Sequence, residues 1–235
     1  MGNNFNLITQ LVYADFKLKY YGSILGFLWS FLKPLLMLGT IYFVFKFFLQ
    51  IEFDNFALFL LLGIIIWGYF TDSTIDSMNS VQSKVDILKN TNIKPSTIAL
   101  VSCTHNFISL ILNLIIFLIF FFSAGLRFGW NSLFFFVFLV LLFILTYSIS
   151  TLTLTLNARF TDFRHIWQVI LQLGFWATPI VYSLSNVSVD IQKWFMLNPM
   201  ARIIVQTREA IIYNIPPSLK QIIISVIIIC VIALI

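Results

Sequence analysis

The amino-acid sequence predicts an all-α membrane protein with six transmembrane helices, an N-terminal amphipathic interface helix and a re-entrant outer hairpin between helices five and six. Of the 235 residues, 60% are hydrophobic and 10% are charged, and the mean hydropathy is +0.98. No Asp, Glu, Lys or Arg interrupts the 32 residues between Lys94 and Arg127, or the 31 residues between Arg127 and Arg159. Each run exceeds the roughly 20 apolar residues that cross a bilayer as a helix. Too little polar surface remains for a water-soluble globule, a disulfide-rich secreted scaffold or a disordered chain.

The basic residues and the two cysteines exclude further classes of protein. A net charge of +5 would suggest nucleic acid as the partner of a soluble domain, but here the basic residues flank apolar runs, as membrane topology requires. We therefore expect membrane lipid and no nucleic acid as a partner. Cys103 and Cys230 lie in apolar stretches without metal-ligand spacing, which is typical of small packing residues.

An amphipathic helix is expected at residues 4–21, before the first span. This segment is too polar to insert, but its apolar and polar residues separate into stripes at helical spacing, which predicts a helix lying flat on the membrane. The apolar stripe is Phe5, Ile8, Val12 and Phe16, and the polar stripe is Asn6, Gln10, Tyr13 and Lys17.

The apolar runs place six spans within a single integral membrane domain, 1–235. Lys33 and Lys46 fall inside the first span, about 20 Å apart along a helix, so each ammonium is expected to reach its own interface of the ~30 Å hydrocarbon core. A charged anchor after the last span is expected beyond Ile235. The spans are 27–48, 56–76, 98–122, 133–156, 166–184 and 218–235, with a cytosolic coupling loop at 77–97 and an outer re-entrant segment at 185–217.

The outer segment carries the strongest sign of a pathway. Residues 191–197 and 200–213 are apolar enough to enter a membrane, but Asn198-Pro199 separates them, which predicts two half-helices. Irregular backbone at membrane depth is tolerated only against protein or a water-filled cavity. Together with Thr178-Pro179 at the end of the fifth span, this break predicts an outer gate, since proline removes a backbone donor and bends a helix. The alternative, that these prolines only end helices, stays open.

Basic residues predict the orientation. Eight of them lie on the side of the amino terminus and two, Lys46 and Arg127, lie on the other side, which places the amino terminus in the cytoplasm. The long 185–220 stretch, with Lys193, Arg202, Arg208 and Lys220, is set aside because long segments obey this rule least. The eight are Lys17, Lys19, Lys33, Lys84, Lys89, Lys94, Arg159 and Arg164.

No motif for enzymatic chemistry is present. The sequence has no phosphate-binding G-x-x-x-x-G-K-[ST] loop, no G-x-G-x-x-G turn and no H-E-x-x-H motif. We therefore expect no catalytic residues, no bound cofactor and no metal. His105, inside the third span, is expected to be a hydrogen-bonded packing residue, and an intramembrane enzyme built on it is the minor alternative.

Two sets of polar residues inside the spans have two interpretations each. Asp72 and Asp76 form either an interfacial helix end or the proton or cation relay of an ion-coupled secondary transporter. A row of hydroxyl and amide side chains in the fourth span forms either the lining of a pathway for a polar substrate or a helix-packing face. That row is Thr146, Ser150, Thr153 and Asn157.

Several segments closely resemble one family. Asp15-Phe16-Lys17-Leu18-Lys19-Tyr20, Ser23-Ile24-Leu25-Gly26-Phe27-Leu28-Trp29-Ser30 and Lys33-Pro34-Leu35-Leu36 resemble the opening of the permease subunits of bacterial ABC-type polysaccharide exporters. Asp162-Phe163-Arg164-His165-Ile166, Leu171-Gln172 with Thr178-Pro179-Ile180-Val181-Tyr182, and Leu197-Asn198-Pro199-Met200 continue the resemblance.

The resemblance implies a six-span subunit that pairs as a homodimer in the bacterial cytoplasmic membrane and recruits two cytosolic ATPase subunits. ATP and Mg²⁺ would bind those subunits. The substrate would be lipid-linked O-antigen, capsular polysaccharide or teichoic acid. The outer gate would comprise Thr178, Pro179, Tyr182, Asn198 and Pro199.

Contact with the ATPase is expected in the loop between spans two and three, because a short segment of mixed polarity suits a docking helix. One feature departs from the family: Ser96-Thr97 follows Pro95 where an Arg-Glu pair is common. The coupling residues are expected to be Lys84, Asp86, Leu88, Lys89 and Pro95.

Overall fold

In a computed structural model of the chain, the structure describes residues 8–15, 17, 26–50, 53–83, 94–160, 162–184 and 188–234. Within these ranges every regular element is a helix, which confirms the all-α prediction. Helix α1 covers residues 8–15, inside the predicted interface helix. The other helices are α2 (Trp29–Phe43), α3 (Phe56–Ser83), α4 (Pro95–Ser123), α5 (Phe134–Arg159), α6 (Phe163–Ala177), α7 (Val189–Phe195), α8 (Pro199–Ile211) and α9 (Leu219–Leu234).

Four described helices are long and apolar enough to cross a membrane. They are α2 with the π-helical turn that continues it (Trp29–Phe48), α3 (Phe56–Ser80), α4 (Pro95–Ser123) and α5 with the 3₁₀ turn before it (Trp130–Arg159). The predicted loop at 77–97 is shorter than expected, because α3 continues to Ser83 and α4 already begins at Pro95.

The last two predicted spans are shorter helices than the sequence suggested. Helix α6 has 15 residues and α9 has 16, which correspond to about 22 and 24 Å of helix against a core of ~30 Å. The predicted end of the fifth span at residue 184 is wrong, since Thr178 already has extended backbone (φ −102°, ψ 141°). A residue before proline is pushed out of the helical region, so the helix ends ahead of Pro179.

Helix α3 is the centre of the bundle. Its sequence is apolar on all sides from Phe56 to Trp67, a pattern typical of a helix surrounded by protein, and nearly all of those side chains are buried. It packs against α4 and α5, where Phe117 and Leu142 are fully buried. Helix α2 instead uses only Leu38 and Ile41 as buried contacts and leaves its other face exposed.

The connections at one end of the bundle pack against each other. Gly125, with φ +75°, allows the tight turn after α4. Asn131 Nδ2 donates a hydrogen bond of 2.7 Å to the carbonyl oxygen of Asn214. A β-carbon on Gly129 would lie only 2.1 Å from the Asn214 side chain. The α4–α5 connection and the α8–α9 connection therefore lie at the same end of the bundle.

Candidate functional site

A cavity of about 1040 Å³ opens between α2, α3, α4 and α6, and we call it the groove. Aromatic rings from α2, from α3 and from the last turns of α6 contribute to its wall. Among its lining rings are Trp29, Phe45, Trp67, Phe175 and Trp176.

Polar side chains line the same groove at helical spacing. Residues three or four apart share one face of a helix, and each of three helices contributes such a set to the wall. These polar lining residues could have been identified from the sequence, because they recur at i, i+4 in helices that are otherwise apolar. The sets are Asp72 and Asp76 on α3, Asn106, Ser109 and Asn113 on α4, and Gln168 and Gln172 on α6.

The charged groups of the groove are paired. Lys33 Nζ lies 2.8 Å from Asp72 Oδ1, with 64% and 34% of the two side chains exposed. Asn106 Nδ2 donates a hydrogen bond of 3.0 Å to Asp76 Oδ2. The ammonium of Lys33, which we expected to reach a membrane interface, binds a carboxylate on the groove wall.

The hydroxyl row of α5 lies elsewhere. Thr146, Ser150, Thr153 and Asn157 are all buried, with at most 4% of any of them exposed, and they are not among the described residues that line the groove. Cys103 of α4 donates to Ser150 Oγ at 3.4 Å, and Thr153 Oγ1 donates to the carbonyl oxygen of Ile149 at 2.9 Å. This burial favours helix packing over pathway lining for all four side chains.

The predicted gate residues come together at the end of α6, and we call Thr178, Pro179, Tyr182, Asn198 and Pro199 the proline cluster. Asn198 Oδ1 accepts a hydrogen bond of 2.9 Å from the backbone N–H of Met200, which caps α8, while its Nδ2 donates to Thr178 Oγ1 at 3.2 Å. Pro199 occupies the first turn of α8, where its missing N–H costs nothing. One amide thus joins the start of α8 to the end of α6.

Tyr182 closes the other side of the proline cluster. Its hydroxyl donates to the carbonyl oxygen of Trp176 at 3.1 Å, and its ring meets Phe195 of α7 edge to face, with centroids 5.9 Å apart. Helix α7 is therefore held against the chain that follows α6.

Arg208 is the site residue that sequence reasoning missed. Its side chain is 2% exposed, although it carries a charge. Nη1 donates to the carbonyl oxygen of Pro179 at 2.5 Å and Nη2 to that of Ile180 at 2.8 Å. These are carbonyls left unpaired where α6 ends, and a guanidinium is suited to bind two acceptors at once.

The surroundings of Arg208 are adapted to its guanidinium. Its Cζ lies 3.5 Å from the centroid of the Phe59 ring, a cation–π contact. A β-carbon on Gly63 would come within 2.2 Å of Nη2, so α3 needs glycine there. No carboxylate forms an ion pair with Arg208 in the described structure.

Four of the five predicted coupling residues, Lys84, Asp86, Leu88 and Lys89, lie outside the described residues. Pro95 is described: it is exposed and begins α4 after the extended residue Lys94. The coupling role stays a prediction.

His105, on which the alternative of an intramembrane enzyme depends, lies inside the bundle, buried within α4. Groups of three or more His, Cys, Asp or Glu suited to a metal ion are absent from the described residues. Cys103 and Cys230 are free thiols: Cys103 is buried, which agrees with its interpretation as a packing residue, whereas Cys230 is exposed on α9.

The fold and the groove define a multi-pass membrane protein with a polar strip inside an apolar helix bundle. The chain belongs to the ABC-2 type transporter family, whose model matches residues 6–212. Its curated relatives are named as export-system permeases, which agrees with the family that its sequence segments resemble.

Three curated relatives share the name "O-antigen export system permease protein RfbA". One from Klebsiella pneumoniae is 29% identical over 210 residues, which cover 89% of this chain and 81% of the relative. A second from the same organism is 28% identical over 213 residues, with the same coverage. One from Myxococcus xanthus is 27% identical over 210 residues, covering 88% of this chain and 80% of the relative.

Proposed function

We propose that this chain is the channel-forming subunit of an ABC transporter that exports a lipid-linked, O-antigen-like polysaccharide across the cytoplasmic membrane. The observation that carries the proposal is the groove: rings and hydrogen-bonding side chains face one cavity inside the bundle of an ABC-2 chain. Sugar hydroxyls need hydrogen-bond partners when they leave water. Aromatic rings cover the apolar faces of sugar rings.

ATP hydrolysis is assigned to separate cytosolic subunits, two copies for each transporter. The family membership and the lack of a phosphate-binding loop in the sequence support this division of labour. Binding and hydrolysis of ATP would move the loop between α3 and α4, where Lys84 and Lys89 lie, and so shift the helices between an inward-open and an outward-open state.

A homodimer with six spans per subunit completes the channel, with the amino terminus in the cytoplasm. Large apolar side chains on the groove wall, such as Leu36 and Trp176, are exposed, and a second copy would cover them. Helices α6 and α9 serve as the fifth and sixth spans. Short spans are accommodated by local thinning of the bilayer, and α7 and α8 form the re-entrant hairpin between them.

The proline cluster is the outer gate in this proposal. Within it, Asn198 at the start of α8 donates one neutral hydrogen bond to Thr178 at the end of α6, which is worth about 1 kcal/mol. Such a contact opens easily, whereas Arg208 keeps the rest of α8 attached to α3 and to the chain after α6.

The alternative is an ion-coupled transporter of a small polar solute, which Asp72 and Asp76 in the groove favour. It predicts transport that is driven by an ion gradient and survives removal of ATP. The proposal of an ABC transporter instead predicts no transport without ATP.

The test is copurification and transport with a candidate ABC ATPase subunit from the same organism. Alone, the chain should not hydrolyse ATP. The complex should hydrolyse ATP and export polysaccharide, and Lys84→Glu with Lys89→Glu should separate the subunits or uncouple hydrolysis from export. Lys193→Glu, on the opposite side in the proposed topology, is the control. Normal export by the double variant would move the docking site elsewhere, and export without ATP would refute the proposal.

A further inference from the structure

Helix α6 presents three faces of different chemistry. On one face, Leu171 and Phe175 are buried, and the Phe175 ring meets Trp67 of α3 edge to face, with centroids 6.4 Å apart. On the second face, Gln168 and Gln172 are exposed and line the groove. The third face is exposed and apolar, and it is formed by Ile166, Val169, Ile170 and Leu173.

The two glutamines are accessible to a ligand in the groove. They lie one helical turn apart, about 6 Å along the helix. Neither side chain makes a hydrogen bond to a residue that the structure describes. Asn106, on the α4 side of the groove, differs in this respect, because its Nδ2 already donates to Asp76 Oδ2 and to the carbonyl oxygen of Ser102.

The chemistry of an amide pair indicates which groups it binds. An amide without a partner is costly inside a bilayer, because hydrocarbon offers it no hydrogen bond. Polar side chains within membrane-spanning segments accordingly mark the paths of polar substrates. An amide both donates and accepts, as a hydroxyl does, whereas a phosphate or carboxylate is bound preferentially by Arg or Lys. Trp176, one turn further along α6, also lines the groove and is 56% exposed.

We infer that Gln168 and Gln172 are specificity-determining residues that bind the hydroxyl groups of the polysaccharide as it passes through the groove. This inference rests on the proposed export function and names residues that recognise its substrate. Each sugar that leaves water loses hydrogen bonds, and the two amides replace part of them. A polymer whose hydroxyls are blocked cannot donate to the amide oxygens, so it should pass more slowly.

The test compares two lipid-linked polymers of the same length and the same sugars. One has free hydroxyls, and in the other the hydroxyls are O-methylated, so they accept hydrogen bonds but cannot donate them. The complete complex with its ATPase is reconstituted in proteoliposomes. A fluorescent label at the end of each polymer reports its entry into the vesicles as protection from an external quencher. The unsubstituted complex should transport the polymer with free hydroxyls at least tenfold faster.

Variants of the two glutamines separate recognition from structure. Gln168→Leu with Gln172→Leu removes the hydrogen-bonding groups and keeps a similar side-chain size. In this variant the preference for free hydroxyls should fall at least fivefold, while ATP hydrolysis without polymer stays within twofold. Gln168→Asn with Gln172→Asn keeps the amides and should retain most of the preference. Ile170→Ala, on the exposed apolar face of α6, is the matched control and should leave the preference unchanged.

Three outcomes would overturn the inference and leave the export function standing. The first is equal transport of both polymers by the unsubstituted complex, and the second is an unchanged preference in the leucine variant. The third is separation of the two copies of the chain in the leucine variant, which would show that the glutamines contact the second copy. Transport of neither polymer by an unsubstituted complex that hydrolyses ATP would overturn the export function, and the inference with it.

Discussion

Lys33 and Arg208 are two cations held by the same bundle in opposite ways. The Lys33 side chain is 64% exposed on the groove wall and pairs with a carboxylate. Arg208 is 2% exposed and bonds to two backbone carbonyls and an aromatic face. One charge is accessible and balanced, whereas the other is enclosed and held by neutral groups.

This difference in burial indicates which of the two sets of contacts can rearrange during transport. An exposed ion pair contributes only about 0–1 kcal/mol, because water competes for both partners. A buried charge stripped of its partners, or buried acceptors stripped of their donor, costs several times more. The groove can therefore change its contacts as a substrate passes, while Arg208 fixes one end of the proline cluster.

The largest expected effect comes from removing the enclosed charge. Arg208→Met leaves the carbonyl oxygens of Pro179 and Ile180 without their donor, and we expect a loss of about 2–5 kcal/mol of stability. Thermal unfolding of the complex, followed by tryptophan fluorescence in lipid nanodiscs, measures it. Lys193→Met, at an exposed residue of α7, is the control. An unfolding temperature as high as that of the unsubstituted protein would show that Arg208 does not hold the cluster.

A smaller effect should come from the glycine beneath the guanidinium. Gly63→Ala puts a β-carbon 2.2 Å from Arg208 Nη2 and 3.2 Å from a methyl group of Ile180, so we expect a loss of about 1–3 kcal/mol from overpacking. Gly39→Ala is the matched control, because its β-carbon meets nothing within 4 Å.

The effects of Gly63→Ala and Arg208→Met on stability should also be coupled. In the double variant Gly63→Ala with Arg208→Met, the flexible methionine can move away, so the loss should be smaller than the sum of the single losses. Strict additivity would mean that Gly63 and Arg208 do not share one packing site.

The smallest effect is expected in the groove. Lys33→Gln removes a largely exposed ion pair and should cost less than about 1 kcal/mol of stability, measured by the same unfolding assay. A loss of stability as large as that of Arg208→Met would show that the Lys33–Asp72 pair is needed for folding. The two cations would then not differ in their contribution to stability.

Part of this contrast could be predicted from sequence. The all-round apolar α3 indicates a central helix, and the two prolines correctly mark where α6 and α8 meet. The sequence-based boundary placed the end of the fifth span at residue 184, seven residues after α6 ends at Ala177. It did not take into account that Pro179 keeps the residue before it out of the helical conformation.

No sequence pattern near Arg208 indicates its role. Its acceptors lie 28 and 29 residues earlier in the chain, and backbone carbonyls leave no mark in a sequence. The amides of the groove are different, because Gln168 and Gln172, and likewise Asn106 and Asn113, recur on one helix face. Their spacing was visible, but only the packing of α4 and of α6 against α3 shows that they share one wall.

The most direct measurement of the central claim fixes the proline cluster shut and asks whether export stops. Thr178→Cys with Asn198→Cys replaces the hydrogen-bonded pair by two thiols, in a background with Cys103→Ser and Cys230→Ser. After oxidation we expect export by the reconstituted complex to fall at least tenfold while ATP hydrolysis persists, and a reductant should restore export. Undiminished export with the two cysteines quantitatively crosslinked would contradict the account and place the exit from the channel elsewhere.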